Sequence, residues 1–237
     1  MDESLLSGKR RLIGLVIVCV AAFALPLLNS TRYFLSGNQD SRLLALSAQA
    51  LSFWFLVGAS FELIALAVLV FVLSRQGRTL RQLGLAFSWT DIPESLLLAI
   101  AAYAAVIVCH VIIFYGYFFM THHVPDQTPQ NVGFMRGGVS VAVVLFICLN
   151  PFYEELIARA FVITEVKFLT GQSAAAVVAS VGLQTAYHLY QGIPSALLAA
   201  AMFLIFSLYY IKRKRILPVI LAHLYFDALA LILSARR

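Results

Sequence analysis

The residues best suited to chemistry are two adjacent glutamates inside an apolar run. Glu154 and Glu155 follow Asn150 and Pro151, and Arg159 comes four residues after Glu155. Neighbouring residues on an α-helix point about 100° apart, so the two carboxylates must face different partners. The spacing predicts an ion pair between Glu155 and Arg159. One arginine cannot neutralise two buried carboxylates, so we interpret Glu154 as functional and Glu155 and Arg159 as supporting residues.

Histidines provide the second group of candidates. His223 and Asp227 are four residues apart in the last apolar run, so they share one helix face. The aspartate can fix the tautomer of the histidine and raise its basicity, but a hydrogen-bonded pair that joins two helices fits the pattern equally well. His188 lies alone near the end of an earlier run, where an interhelical hydrogen bond is the commoner role.

A carboxylate with one or two histidines can activate water toward a carbonyl group. In this interpretation Glu154 is the general base, and His188, His223 and Asp227 orient the water or stabilise the oxyanion. The same residues can instead hold a zinc-type divalent metal through His188 and His223, with a carboxylate completing the shell. The sequence contains no His-Glu-x-x-His motif, so both mechanisms stay open.

Membrane-spanning helices must position these residues. The chain of 237 residues is 62% hydrophobic and 12% charged, with a mean hydropathy of +0.90. A soluble domain is about half apolar and about a quarter charged. The composition predicts an all-α, polytopic membrane helix bundle that forms one integral membrane domain over residues 1–237. The basic residues are scattered between the apolar runs, which favours the bilayer as partner and argues against nucleic acid.

The apolar runs predict seven spans, or eight if a further segment enters the bilayer. The second and fourth are too long for simple perpendicular crossing, and Pro151 predicts a kink or a restart in the fourth. The candidate residues of all three motifs lie in residues 139–234. The predicted spans are 12–28, 43–73, 92–119, 139–169, 173–190, 194–211 and 216–234.

The depths of the candidates in the bilayer are compatible with one shared site. A rise of 1.5 Å per residue places Glu154 and Asp227 about 16 Å from the inner edge, His223 about 10 Å and His188 about 22 Å. Their convergence is therefore permitted, with His188 as the outlier. Glu62 is a weaker candidate in the second span, without a partner one turn away, and Glu165 is expected at the membrane interface.

The distribution of basic residues predicts an orientation with the N-terminus in the cytoplasm. We expect the protein in the plasma membrane. Eleven lysines and arginines then lie inside and five outside, with Arg159 within a span. The inner set is Lys9, Arg10, Arg11, Arg75, Arg78, Arg81, Lys167, Lys212, Arg213, Lys214 and Arg215, and the outer set is Arg32, Arg42, Arg136, Arg236 and Arg237.

The order of the motifs resembles a known family. Glu-Glu-x-x-x-Arg at 154–159, His188 one helix later and His-x-x-x-Asp at 223–227 are similar to the three motifs of the CAAX protease and bacteriocin-processing family, the type II CAAX prenyl endopeptidase and Abi proteins. The resemblance implies a multi-helix membrane endopeptidase whose substrates are membrane-associated, prenylated tails or leader peptides among them. Both a metalloprotease and a metal-free glutamate mechanism have been proposed for the family.

Residue by residue, the resemblance implies that Glu154, His188 and His223 are catalytic and that Asp227 assists them. The resemblance implies that Glu155 and Arg159 support these catalytic residues. One position departs from the pattern, because Gln184 stands where the second motif usually has phenylalanine. Two other classes remain as alternatives. One is a non-catalytic membrane partner such as an immunity-type protein, and the other is a transporter that uses Glu62, Glu154 and Asp227 as proton-coupled carboxylates.

Overall fold

The computed structural model describes residues 3–36, 47–123 and 140–235. Within these ranges the chain forms seven helices and no strand, which confirms the all-α membrane bundle. The helices are α1 Glu3–Ser36, α2 Ala48–Arg75, α3 Asp91–Thr121, α4 Val141–Thr170, α5 Ser173–His188, α6 Ile193–Arg213 and α7 Leu217–Ala235.

Some predictions lie outside the described residues. The predicted second span starts at residue 43, and its part before Ser47 belongs to this group. Four of the five arginines assigned to the outer side are also not described, namely Arg42, Arg136, Arg236 and Arg237.

Five of the described helices are long and apolar enough to cross a membrane, namely α1 to α4 and α6. The apolar part of α7, Leu217–Leu233, is shorter. Helix α5 has 16 residues, and at a rise of 1.5 Å per residue it is about 24 Å long, less than the ~30 Å hydrocarbon core. The seven predicted helices are therefore present, but two of them are shorter than a full span.

Serine caps and left-handed turns define where several helices begin and end. The Ser47 side chain accepts a hydrogen bond from the Ala50 amide at 3.2 Å, and Ser140 accepts one from Val143 at 3.3 Å. Both serines thereby satisfy an amide that has no partner within its helix. Helix α4 ends at Thr170 and is capped by Gly171, whose φ of 71° is the left-handed conformation that glycine adopts without strain.

Helix α4 changes its backbone geometry at the predicted active residues. The helix continues through Pro151, and the expected interruption appears instead as a π-helical segment at Glu155–Phe161. Pro151 has no amide hydrogen to donate, so the regular hydrogen-bond ladder is broken one turn before this segment. All seven residues of the π-helical segment are buried. Segments of this kind are rare and are frequently found at functional sites.

The described helices place α4 inside the bundle and α3 at its edge. Of the five long helices α4 is the most buried and α3 the least. Helix α2 packs on the first part of α4, α6 packs on α3 and α5, and α7 packs on α3 and α4. The many exposed apolar side chains of α3, such as Ile100 and Ile112, face the surroundings, as expected for a lipid-facing helix.

A buried ionic cluster joins three parts of the chain. Glu165 is fully buried, and its carboxylate accepts hydrogen bonds from Arg11 at 2.7 and 2.8 Å and a further one from Arg78. The expectation that Glu165 lies at the membrane interface stays a prediction, but its side chain is enclosed by protein. Its charge is compensated by two arginines, so the cluster fastens α1 and the segment after α2 to α4.

Gly84 lies where the α2–α3 connection packs closely against the α6–α7 turn. Its φ is 88°, its carbonyl oxygen accepts a hydrogen bond from the Ile216 amide at 3.2 Å, and an added Cβ would lie 2.2 Å from the Lys214 carbonyl oxygen. Gly77 also has a positive φ, 67°, but an added Cβ there meets nothing within 4 Å.

This difference predicts that Gly84→Ala lowers stability more than Gly77→Ala does. Alanine at residue 77 has only the left-handed backbone cost of about 1–2 kcal/mol. Alanine at residue 84 adds a clash with rigid backbone, so we expect a total of at least ~3 kcal/mol. Thermal unfolding of both variants in one detergent measures the difference. Equal losses would contradict the close approach.

Candidate intramembrane catalytic site

Glu155 and Arg159 form a fully enclosed ion pair on the π-helical segment. Arg159 Nε donates to Glu155 Oε2 at 2.9 Å, and a second guanidinium nitrogen donates to Oε1 at 3.3 Å. The third guanidinium nitrogen, Nη1, donates to Ser180 on α5 at 3.2 Å and to Ser207 on α6 at 2.9 Å. The predicted pair is confirmed, and it also connects three helices.

The imidazole of His223 is held by this ion pair. His223 Nδ1 lies 2.9 Å from Glu155 Oε1. A carboxylate that already pairs with arginine accepts hydrogen bonds, so Nδ1 carries the proton of this bond and Nε2 is free for other partners. The Asp227 carboxylate lies 3.8 Å from Nε2, too far for a hydrogen bond. Glu155, not Asp227, therefore orients this ring.

Glu154 has different surroundings from its neighbour. Asn150 Nδ2 donates to its Oε1 at 3.3 Å, and Gln184 Nε2 of helix α5 donates to its Oε2 at 3.2 Å. Glu154 is only 2% exposed, and its carboxylate makes no salt bridge within the described ranges. Glu154 is thus a buried carboxylate held by two neutral amides, which leaves it available for proton transfer.

His188 ends α5 one turn after Gln184. Its Nδ1 lies 2.8 Å from the Gln184 backbone carbonyl oxygen, which can only accept, so Nδ1 is the donor and Nε2 is free. The ring centroid lies 5.1 Å from that of Phe203, and Phe203 lies 6.3 Å from the His223 ring. Both histidine rings therefore lie near the same phenylalanine ring, and each has its Nε2 available.

Helix α1 fixes the end of α5 that carries His188. The Ser30 hydroxyl donates to the Ala186 carbonyl oxygen at 2.9 Å and accepts a hydrogen bond from the Tyr190 amide at 3.0 Å. Ser30 is almost fully buried, at 1% exposure. This contact replaces helical hydrogen bonds that are missing where α5 ends.

The structure brings most of the predicted residues together. Glu154, Glu155 and His223 have potential ligand atoms within 4.8 Å of one another. His188 does not belong to this group, but its helix neighbour Gln184 contacts Glu154 directly. Asp227 lies at the more accessible edge of the site, with 27% of its side chain exposed.

The chemistry of the donors argues against a zinc site in this group. Both oxygens of Glu155 are already bonded to Arg159 and His223, and the guanidinium charge next to them repels a cation. A zinc site needs three or four protein ligands. Within the group only Glu154, whose partners are neutral amides, and His223 Nε2 could ligate a cation, and in the part of the chain that is described no other three such residues meet. A metal held by His188 and His223 stays a prediction.

Sequence reasoning assigned no role to Asn150 or Phe203 and found no partner for Glu62 on its own helix. Asn150 precedes Glu154 by four residues, so the helical spacing alone was a sufficient signal. Glu62 on α2 accepts a hydrogen bond from Asn150 Nδ2 at 2.8 Å, across 88 positions of sequence, for which no local pattern exists. Phe203 is one of many apolar residues on α6 and carries no distinguishing signal.

The fold and the site define an integral membrane protein with an enclosed carboxylate–histidine centre. Residues 136–229 match the family model of the type II CAAX prenyl endopeptidase Rce1-like proteins. This stretch contains all three motifs, so the match confirms the resemblance and supports a membrane protease in general. No curated protein and no solved structure matches the chain.

Proposed function

We propose that this protein is an intramembrane endopeptidase in which Glu154 activates water for the hydrolysis of membrane-associated substrates. One observation carries the proposal. Glu154 is enclosed, forms no ion pair with an arginine or lysine within the described residues, and lies beside a histidine whose Nδ1 is already bonded. A buried structural glutamate is normally paired, as Glu155 is with Arg159.

The reaction follows from the available atoms. The Glu154 carboxylate accepts a proton from water, and the water oxygen forms a bond to the carbonyl carbon of the scissile peptide. The C=O electron pair moves onto oxygen, and Nε2–H of a protonated His223 or His188 donates to this oxyanion. When the intermediate collapses, the C–N bond breaks and Glu154 returns its proton to the leaving nitrogen.

Glu155, Arg159 and Asp227 have supporting roles in this proposal. Glu155 holds the His223 ring by Nδ1, and Arg159 keeps Glu155 charged and fixed. Asp227 faces Nε2 of the same ring at 3.8 Å, where its charge stabilises the imidazolium form that acts as donor. The donor set described above favours this glutamate mechanism over a zinc-dependent one.

The orientation is also a proposal. Two groups of ion pairs, Glu165 with Arg11 and Arg78 and Asp91 with Arg215, involve arginines that the positive-inside rule assigns to the cytoplasm. Their placement supports a cytoplasmic N-terminus, and we propose the plasma membrane as the location. Prenylated C-terminal tails are then the substrate class that the family suggests, with leader peptides as the alternative.

A lipid anchor on the substrate is expected to promote cleavage. The purified protein, reconstituted into liposomes, should cut a farnesylated peptide with a CAAX-type tail. The unprenylated peptide of the same sequence should be cut at least about tenfold more slowly, because the anchor concentrates the substrate at the membrane. Mass spectrometry of the products gives both the cleavage site and the rate.

The control for the mechanism is the same assay after treatment with a chelator. The glutamate mechanism predicts an unchanged rate, whereas a loss of cleavage that added zinc restores would refute it. Cleavage of leader peptides alone would support the endopeptidase activity but would show that prenylated peptides are not its substrates. Binding of every peptide without cleavage would identify a non-catalytic partner, and proton flux without cleavage would identify a transporter.

A further inference from the structure

Glu62 is a buried acidic residue to which the mechanism above assigns no task. It lies in the middle of α2, outside the stretch that matches the family model, and the residue is only 3% exposed. An acidic side chain at this depth of a membrane helix is costly and usually functional. Its Oε1 accepts a hydrogen bond from Asn150 Nδ2 at 2.8 Å.

Asn150 connects Glu62 to the proposed base. Its Nδ2 carries two hydrogens, of which one reaches Glu62 at 2.8 Å and the other reaches Glu154 Oε1 at 3.3 Å. The shorter bond to Glu62 fixes the rotation of the amide and thereby aims the second hydrogen at Glu154. Gln184 donates to the other Glu154 oxygen at 3.2 Å. We call Asn150 and Gln184 the amide clamp.

A purely structural role would leave these groups paired. Interhelical polar contacts that only join membrane helices satisfy their donors and acceptors mutually. Here, within the described residues, Glu62 Oε2 and Gln184 Oε1 are buried and have no hydrogen-bond donor. One oxygen belongs to Gln184, which bonds Glu154, and the other belongs to Glu62, which bonds Asn150. Each can accept a hydrogen bond from a further donor such as a substrate N–H.

We propose that Glu62 is a positioning residue for Glu154, because it fixes the amide clamp that holds both oxygens of that carboxylate. The proposal rests on the proposed function for its kinetic consequence, although the geometry does not depend on it. Glu62 acts through Asn150 and does not touch the substrate. Helix α2 is thereby part of the catalytic unit, together with α4, α5 and α7.

The kinetic test compares Glu62→Leu with Glu62→Gln. Leucine removes the acceptor for Asn150, so we expect kcat for the lipid-anchored peptide to fall about tenfold or more, with KM changed less than about twofold. Glutamine keeps an acceptor oxygen and should retain kcat within about twofold. Ser60→Ala is the control on the same helix, because this exposed hydroxyl bonds only to the Leu56 carbonyl of its own helix.

A double-mutant cycle separates positioning from general damage to the fold. If Glu62 acts through Asn150, then Glu62→Leu has no further effect on kcat in the Asn150→Leu background. Additive losses, or equal losses for the leucine and glutamine variants, would overturn the proposal. So would a kcat of Glu62→Leu that equals that of the wild type.

Infrared spectroscopy tests the same claim without using activity. The difference spectrum between the wild type and Glu154→Gln isolates the carboxylate band of Glu154, whose frequency depends on its hydrogen bonds. The band should shift in Glu62→Leu and Asn150→Leu and stay in place in Glu62→Gln. An unshifted band in Glu62→Leu overturns the proposal. A shifted band in a protein that cleaves no peptide supports it and rejects the proposed function instead.

Discussion

Glu154→Gln should lower kcat for peptide hydrolysis by a factor of about 10²–10⁴, the usual contribution of a general base. Glutamine cannot accept the proton of the attacking water. Its single carbonyl oxygen can accept the hydrogen bond from Asn150, and its NH₂ can donate to Gln184 Oε1 after the Gln184 amide rotates. The variant should therefore fold and melt close to the wild type. The assay is the rate of cleavage of the lipid-anchored peptide in liposomes, with thermal unfolding measured on the same preparation.

Glu165→Gln is the matched control, because Glu165 is a fully buried glutamate of the same helix. It forms ion pairs with Arg11 and Arg78, so its substitution should lower the melting temperature and leave kcat unchanged below that temperature. The two variants thus have opposite expected profiles. A Glu154→Gln protein that cleaves at the wild-type rate would reject the mechanism.

Arg159→Met should be among the most destabilising single substitutions in the chain. It leaves the buried Glu155 with His223 as its remaining partner and removes the donors to Ser180 and Ser207. Loss of one member of a buried ion pair costs roughly 3–5 kcal/mol. Unfolding in detergent, followed by circular dichroism, measures the loss.

The double variant Glu155→Met with Arg159→Met tests the electrostatic origin of that loss. Removing both charges should recover much of the stability, because no uncompensated charge remains. Activity should not recover, because His223 Nδ1 loses the carboxylate that orients its ring. If the double variant were as unstable as the single one, packing and not charge would explain the effect.

The sequence was sufficient for the features that depend on neighbours along one helix. The apolar runs predicted the seven helices, and the spacing of Glu155 and Arg159 predicted their ion pair. The order of the three motifs predicted the family that residues 136–229 match. Each of these signals is local or depends only on order. The catalytic roles of the residues stay predictions.

Contacts between distant helices could not be predicted in the same way. The bonds from Glu155 to His223 and from Glu62 to Asn150 depend on how each helix is rotated about its axis. In a soluble helix the polar face reveals this rotation. In a membrane helix the lipid-facing and buried sides are equally apolar, so the pattern of α2 gives no rotation.

The π-helical backbone at Glu155–Phe161 also could not be predicted from the sequence. Pro151 correctly indicated an irregular helix, but a proline can be accommodated by a kink, by a break or by a π-helical segment in the following turn. Which of these forms depends on the packing around it. Here the following turn is buried on all sides, with Arg159 bonded to α5 and α6.

A structure of the Glu154→Gln protein with an uncut lipid-anchored peptide tests the central claim most directly. We predict that the scissile carbonyl lies between residue 154 and the histidines. Nε2 of His223 or His188 should be about 3 Å from the carbonyl oxygen, and residue 154 should be within one water molecule of the carbonyl carbon. A peptide bound with its scissile bond away from α4, α5 and α7 would contradict this assignment.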